Sequence, residues 1–221
     1  MSENCSFSLA HYKYCLELAK KRGYKFMKMS EFAIKNDKIP LSEKVIILRH
    51  DIDHTMRLIP FFLKIEKELG VPSTYFLRVH ANYSLGSYEN FGMISELIKG
   101  GYEIGLHHEG DFANLFSEDS DFFLKRNKLV LQYLINQEVL GVTLHAPAKS
   151  GISLSPELVK ELGFLYDGYS DLFMKETKYI SDSSSRWREG CMCNFIKNDS
   201  PRLTILTHPI WWFNRSITEN Y

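Results

Sequence analysis

The 221-residue chain is short of most features that would place it in a special class. Its four cysteines, Cys5, Cys15, Cys191 and Cys193, are too few and too irregularly spaced for a disulfide framework or for paired C-x-x-C zinc motifs. They read as reduced structural thiols with no assigned function. A metal on Cys191 and Cys193, or their pairing with the two N-terminal thiols, is the alternative. Net charge is absent: 27 Lys+Arg balance 27 Asp+Glu. No global field therefore favours nucleic acid or an anionic membrane. No apolar run approaches a membrane-spanning length, so no membrane insertion is expected. Met1 to Leu9 lack the basic segment and apolar core of a secretory signal, and the expected location is cytoplasmic. Repeats and Gly/Pro/Ser-rich linkers are missing too. A single domain over 1–221 is expected, with 1–44 as a helical and strand extension packed on it. Oligomeric state is not legible.

What is present is the composition of an ordinary soluble globule, 44% hydrophobic and 24% charged, on a chain long enough for a sizeable core. Apolar periodicity predicts helices over 8–22, 56–69, 88–99 and 118–136, with another starting at Ser155 and a helical turn near Ser30. Strand-like runs lie at 24–27, 45–50, 73–78, 102–106, 139–144, 164–167 and 203–207. Residues 171–200 read as a long Ser-rich loop with a short strand pair. Strand and helix alternate at least five times, which argues for a parallel α/β arrangement, barrel-like or doubly wound.

The chemistry-bearing residues gather just past the strands. Val45-Ile46-Ile47-Leu48-Arg49-His50-Asp51-Ile52-Asp53-His54 is an apolar run ending in two carboxylates one residue apart, bracketed by histidines. The two-residue period of a strand puts Asp51 and Asp53 on one face, with His50 and His54 on the other. Carboxylates that close repel unless a cation or a shared proton intervenes. His107, His108 and Asp111 follow the strand at 102–106, and His145 follows the next; Asp167 and Asp171 come after the run at 164–167, and His208 ends the last strand. In a parallel sheet all strand C-termini lie on one face, where these groups converge.

In this order the residues resemble the motifs of the polysaccharide deacetylases, carbohydrate esterase family 4. Arg49-His50-Asp51-Ile52-Asp53 resembles the family's strand ending in two aspartates. Gly101-Tyr102-Glu103-Ile104-Gly105-Leu106-His107-His108-Glu109-Gly110-Asp111 is similar to its Gly-His-Glu-Ile-Gly-x-His-(Ser/Thr)-x-x-His motif, the most specific of the set. His145-Ala146-Pro147 resembles Arg-x-Pro, Asp167 or Asp171 the aspartate after a strand, and Leu206-Thr207-His208 the terminal Leu-x-His. The variant first motif, Ser181-Asp182-Ser183 to Trp187, and His208-Pro209-Ile210-Trp211-Trp212 are similar to a branch linked to bacterial surface-polysaccharide synthesis. The resemblance implies a distorted (β/α) barrel, related to TIM barrels, and a divalent metal: zinc first, with iron, manganese or cobalt as alternatives. It implies removal of an N-acetyl group from a sugar or sugar-linked precursor. Asp51 matches the general base, Asp53 and His107 metal ligands, and His208 the general acid.

Two positions depart from the pattern. The family's second metal histidine falls on Asp111, an oxygen ligand that would complete a triad with Asp53 and His107; His108 is the alternative ligand. His145 stands where the family has the arginine that holds the catalytic aspartate. It is then either protonated beside Asp51 or an additional ligand. Trp187 and Trp211 are candidates to stack on sugar rings, with core packing as the alternative. Arg186 and Asp171 are candidates for polar groups of the substrate. Two other readings stay open: a hydrolase of cyclic amides or ureides on the same scaffold, and a sugar-binding module that has lost metal and catalysis.

Overall fold

The computed structural model describes residues 5–115 and 117–220, and its strands form one parallel sheet. In chain order they are β1 (Lys25–Met27), β2 (Val45–Ile52), β3 (Thr74–Leu77), β4 (Glu103–His108), β5 (Gly141–Leu144), β6 (Tyr166–Asp167), β7 (Lys178–Ser181) and β8 (Arg202–Thr207). The sheet runs β6-β5-β4-β3-β2-β8-β7 and curls into a half-barrel. β1 pairs with Val45–Ile47 of β2, and β3 with Arg49–Ile52. The distorted (β/α) barrel expected above is thus observed. The connections carry α1 (Leu9–Lys21), α2 (Met29–Lys35), α3 (Ile59–Leu69), α4 (Tyr88–Lys99), α5 (Phe112–Leu115), α6 (Ser120–Ile135), α7 (Pro147–Ser150), α8 (Pro156–Glu161), α9 (Asp171–Met174) and α10 (Met192–Lys197).

Helix boundaries follow local chemistry. The Ser8 hydroxyl accepts from His11 N at the start of α1, and Lys20 and Lys21 occupy its last turn. Asp119 caps α6 through the amides of Asp121 and Phe122. Gly70 ends α3 in the left-handed conformation. Among the described residues no helix is long and apolar enough to cross a membrane.

The segment 171–200 differs from expectation. It holds α9, β7 and α10 instead of a strand pair, because β7 needs no hairpin partner: it adds in parallel to the free edge of β8.

β2 sets the inside and the outside of the half-barrel. Val45 and Ile47 face an inner cluster with Phe76, Tyr166 and Phe173, while Ile46 and Leu48 face an outer one with Tyr12, Phe62 and Trp212. Each fully buried side chain of this kind contributes about 1.5–3 kcal/mol. Continuing the alternation, Arg49, Asp51 and Asp53 point inward and His50 outward. His50 Nε2 meets Glu66 Oε1 at 2.7 Å, and Glu66 also accepts from Tyr12, Ser73 and Tyr75. This buried carboxylate ties α3 to α1, β2 and β3. A Cβ on Gly105 would stand 2.3 Å from the Phe76 ring, so only glycine lets that ring fill the barrel beneath Arg49.

Candidate active site

At the top of the inner face, Arg49 and Asp51 are both buried and form a two-pronged ion pair. Nε donates to Oδ1 and Nη2 to Oδ2, each at 2.7 Å. The guanidinium lies between the rings of Phe76 and Tyr169, whose centroids are 5.1 and 4.6 Å away. Asp167 accepts the Tyr169 amide and so shapes the turn that brings that ring over Arg49. Burial alone would raise the pKa of Asp51; the neighbouring guanidinium outweighs it and holds the carboxyl below its ordinary range.

Asp53, one step further up, meets three imidazoles. Its oxygens lie 3.2 Å from His107 Nε2, 4.0 Å from His145 Nε2 and 3.8 Å from His208 Nε2. His107 Nε2 is also 3.5 Å from Asp51. His107 Nδ1 sits 2.8 Å from Thr143 Oγ1; with the proton on Nδ1, the lone pair of Nε2 faces Asp53. Asp53 Oδ1 is fully buried, yet the approach of His107 does not make it a hydrogen bond. An orphaned carboxylate oxygen facing an imidazole nitrogen is an arrangement that suits a cation. His145 stands edge-on to His107, with ring centroids 5.3 Å apart. Burial, then the neighbouring His107, push its pKa down to about 4, which makes it a neutral imidazole fit to ligate. The residues present therefore fit a divalent metal on Asp53, His107 and His145. Ala146 turns the chain sharply after His145, at φ 47° and ψ 50°.

Opposite stands His208. Its Nδ1 donates to Asp182 Oδ1 at 2.6 Å, and its backbone N–H reaches both Asp182 oxygens at 3.0 Å. Trp212 Nε1 donates to Asp182 Oδ2 at 2.8 Å. Burial would lower the His208 pKa, but Asp182, then Asp51 and Asp53, raise it to about 9.

No protein-family model matches the chain, and no curated protein sequence does. Solved structures do match. The chain superposes on the deacetylase PplD of Streptococcus pyogenes with a TM-score of 0.54 and 14% identity, over 96% of this chain and 84% of that one. For IcaB of Ammonifex degensii the values are 0.53 and 17%, over 71% and 73%. For the wild-type CE4 family pseudoenzyme BA3943 of Bacillus anthracis they are 0.51 and 16%, over 77% of this chain and 56% of that one. The fold is that of the polysaccharide deacetylases.

Within this deacetylase fold, the site differs from the sequence pattern in instructive ways. The arginine that holds Asp51 comes from position 49 of the same strand, not from the Arg-x-Pro position, where His145 turns to Asp53. The spacing Arg49-x-Asp51-x-Asp53 carried that information, since residues two apart on a strand share a face. Asp111 is exposed in the turn before α5, outside the groups that meet Asp53. His108 points out of the barrel, where Nδ1 lies 3.2 Å from Asn127 Nδ2 of α6, and burial lowers its pKa to about 4. A rotation into the site would abandon this packing. Asp171 is exposed and pairs with Lys175 one turn on; Arg186 is exposed in the turn after Asp182. Trp187 stacks on Phe7 and meets Trp212 edge-on, and Trp211 also packs against the outer cluster. His54 is exposed, and His50 lies on the outer face.

Two supports went unread in the sequence. Asp182 is one. The other is the buried pair Arg78–Glu109, at 2.5 Å, whose Arg78 Nη1 also donates to Asp53 O at 2.7 Å. Tyr83 adds a hydroxyl to Ile52 O at 2.6 Å, so the backbone at the end of β2 is held from β3 and β4.

Proposed function

We propose that the chain is a metal-dependent hydrolase that removes the N-acetyl group from a sugar or sugar-linked precursor. The observation that carries this reading is the geometry of two proton-handling groups, each hydrogen-bonded to a partner of opposite charge type. Asp51 is kept ionised by Arg49, and His208 is kept protonated by Asp182, on either side of Asp53 and His107. A divalent cation, zinc by preference, on Asp53, His107 and His145 would polarise the acetyl carbonyl and bring the pKa of the attacking water toward about 7. Asp51 takes the proton of that water. His208 gives its Nε2 proton to the departing nitrogen, so the C–N bond breaks to an amine and acetate. Surface-glycan synthesis in the cytoplasm is the setting we infer, by the resemblance of the chain's motifs.

The test is acetate release from N-acetylhexosamine oligosaccharides and nucleotide-linked N-acetylhexosamines with zinc, iron, manganese and cobalt. Metal-dependent release that disappears in Asp51→Asn is expected. No release with any metal sinks the reading. A sugar-binding module without catalysis is the second reading, favoured by the exposed Asp111 at the position of a family metal ligand. It predicts sugar binding by calorimetry that Asp51→Asn leaves untouched.

A further inference from the structure

On the outer side of the sheet, soft donor atoms from the two ends of the chain come together. Cys5 precedes α1 and His11 lies on its first turn; Cys191 caps α10 and Cys193 is its second residue. One ligand atom from each of these four residues lies within 4.8 Å of every other. Among the described residues this is the one His/Cys/Asp/Glu group that closes so tightly. Cys5 Sγ is 3.5 Å from Cys193 Sγ, and His11 Nε2 is 3.2 Å from Cys191 Sγ. Cys15, one turn after His11, approaches His11 Nε2 to 3.4 Å.

Three alternatives explain less. The sulfurs are not bonded: all four cysteines are free, and 3.5 Å is far beyond a disulfide's roughly 2.05 Å. A Cys191–His11 nucleophilic dyad leaves the close approach of Cys5 to Cys193 beside it unexplained. Plain thiol packing accounts for one or two sulfurs, not for three converging with an imidazole from positions 180 or more residues apart. A tetrahedral zinc site, with Zn–S near 2.3 Å and Zn–N near 2.0 Å, has ligand–ligand edges of about 3.5–3.8 Å. The Cys5–Cys193 and His11–Cys191 separations, 3.5 and 3.2 Å, fall close to two of those edges, and the others stay within 4.8 Å. Three thiols with one imidazole form a donor set of structural zinc sites, and soft sulfur disfavours magnesium and calcium.

We propose that Cys5, His11, Cys191 and Cys193 bind one zinc ion in a closed structural site that clamps the N-terminal segment and α1 onto α10. The site is separate from the strand-end group and independent of the reaction there. Its consequence is local order: α10 has six residues, too few to hold together without tertiary anchors, and the ion fixes its first turn.

The test is zinc-edge X-ray absorption on the full chain, purified under reducing conditions without added metal. A shell of about three sulfurs near 2.3 Å is expected. A nitrogen/oxygen shell alone, or no zinc, overturns the proposal, as does a Cys5–Cys193 disulfide in the intact protein by mass spectrometry. Cys193→Ser is expected to lose the sulfur-bound ion. Should that variant fail to fold, cobalt titration of the unmutated chain decides: thiolate-to-cobalt charge-transfer absorption at one equivalent supports the site, and its absence overturns it. Cys15→Ala is expected to keep the ion. Its loss in Cys15→Ala with retention in Cys5→Ala refutes this donor set.

Discussion

The strand-end site and the thiol cluster use overlapping ligand chemistry but are assembled in opposite ways. At the strand ends, donors from β2, β4, β5 and β8 converge because parallel strands deliver their C-terminal residues to one rim. Its members are locked by a second layer: Arg49 on Asp51, Thr143 on His107 and Asp182 on His208. Between those fixed groups the imidazole nitrogens stay 3.2–4.0 Å from Asp53. The thiol cluster closes on itself, its four ligand atoms within 4.8 Å of one another. We read one region as the site of reaction and the other as a clamp on the chain. Loss of a strand-end group should therefore cost activity first, and loss of a cluster ligand should cost order first.

Asp51→Asn tests that division most strongly. It removes the base with little change in shape, and the proposed acetate release should fall by about 10²–10⁴-fold. The sulfur shell around zinc should be unchanged in the same preparation. A variant that also loses the sulfur-bound ion would mean the two regions are coupled.

Arg49→Met probes whether the strand-end site also carries stability. It leaves Asp51, 1% exposed, without its paired guanidinium, and breaking a buried pair in this way costs about 3–5 kcal/mol. Urea unfolding should show a loss larger than that of Asp51→Asn, where the arginine keeps a neutral acceptor. Equal losses would place the energetic role in the charge pair, which both variants break, and not in the packing of Arg49 between Phe76 and Tyr169, which only Arg49→Met removes.

Asp182→Asn should move a pH limb. A group with a raised pKa is charged below it, so His208 serves as an acid until the pH rises through about 9. Without the Asp182 carboxylate that limit falls toward the ordinary value near 6.5. Activity at pH 8 should drop by about tenfold or more while activity near pH 6 changes far less. A pH-independent loss would make Asp182 a scaffold for Trp212 and nothing more.

The difference between the regions also explains what could be read from the sequence. The half-barrel is legible because β2, β4, β5 and β8 are short apolar runs that end in acids or imidazoles. The face assignment of Asp51 and Asp53 followed from a period of two. By the same rule Arg49 shares that face, whereas the resemblance to Arg-x-Pro points to His145. Asp182 is hidden because β7 is an edge strand inside a Ser-rich stretch, and the residue just past its end meets His208 only through the parallel pairing with β8. The thiol cluster had no local signature at all. Cys5 and His11 belong to a helix start, Cys191 and Cys193 to a six-residue helix, and only the packing of α1 on α10 unites them.

The smallest expected effect belongs to Asp111, and it separates sequence register from geometry. By register with Glu103-Ile104-Gly105 it should be the third metal ligand; in the fold it is exposed beyond β4, while His145 comes within 4.0 Å of Asp53. Asp111→Ala should leave stability within about 0.5 kcal/mol and acetate release nearly unchanged, as for an exposed loop acid. His145→Ala, on the rim itself, should weaken retention of the activating metal by about 10–100-fold, read from the metal concentration that restores half the activity. The reverse ranking would require the turn before α5 to fold over the site when metal is present, bringing Asp111 to Asp53 and displacing His145. In that case the imidazole at 145 would be a neighbour of the ion, and the strand rim alone would not define the ligand set.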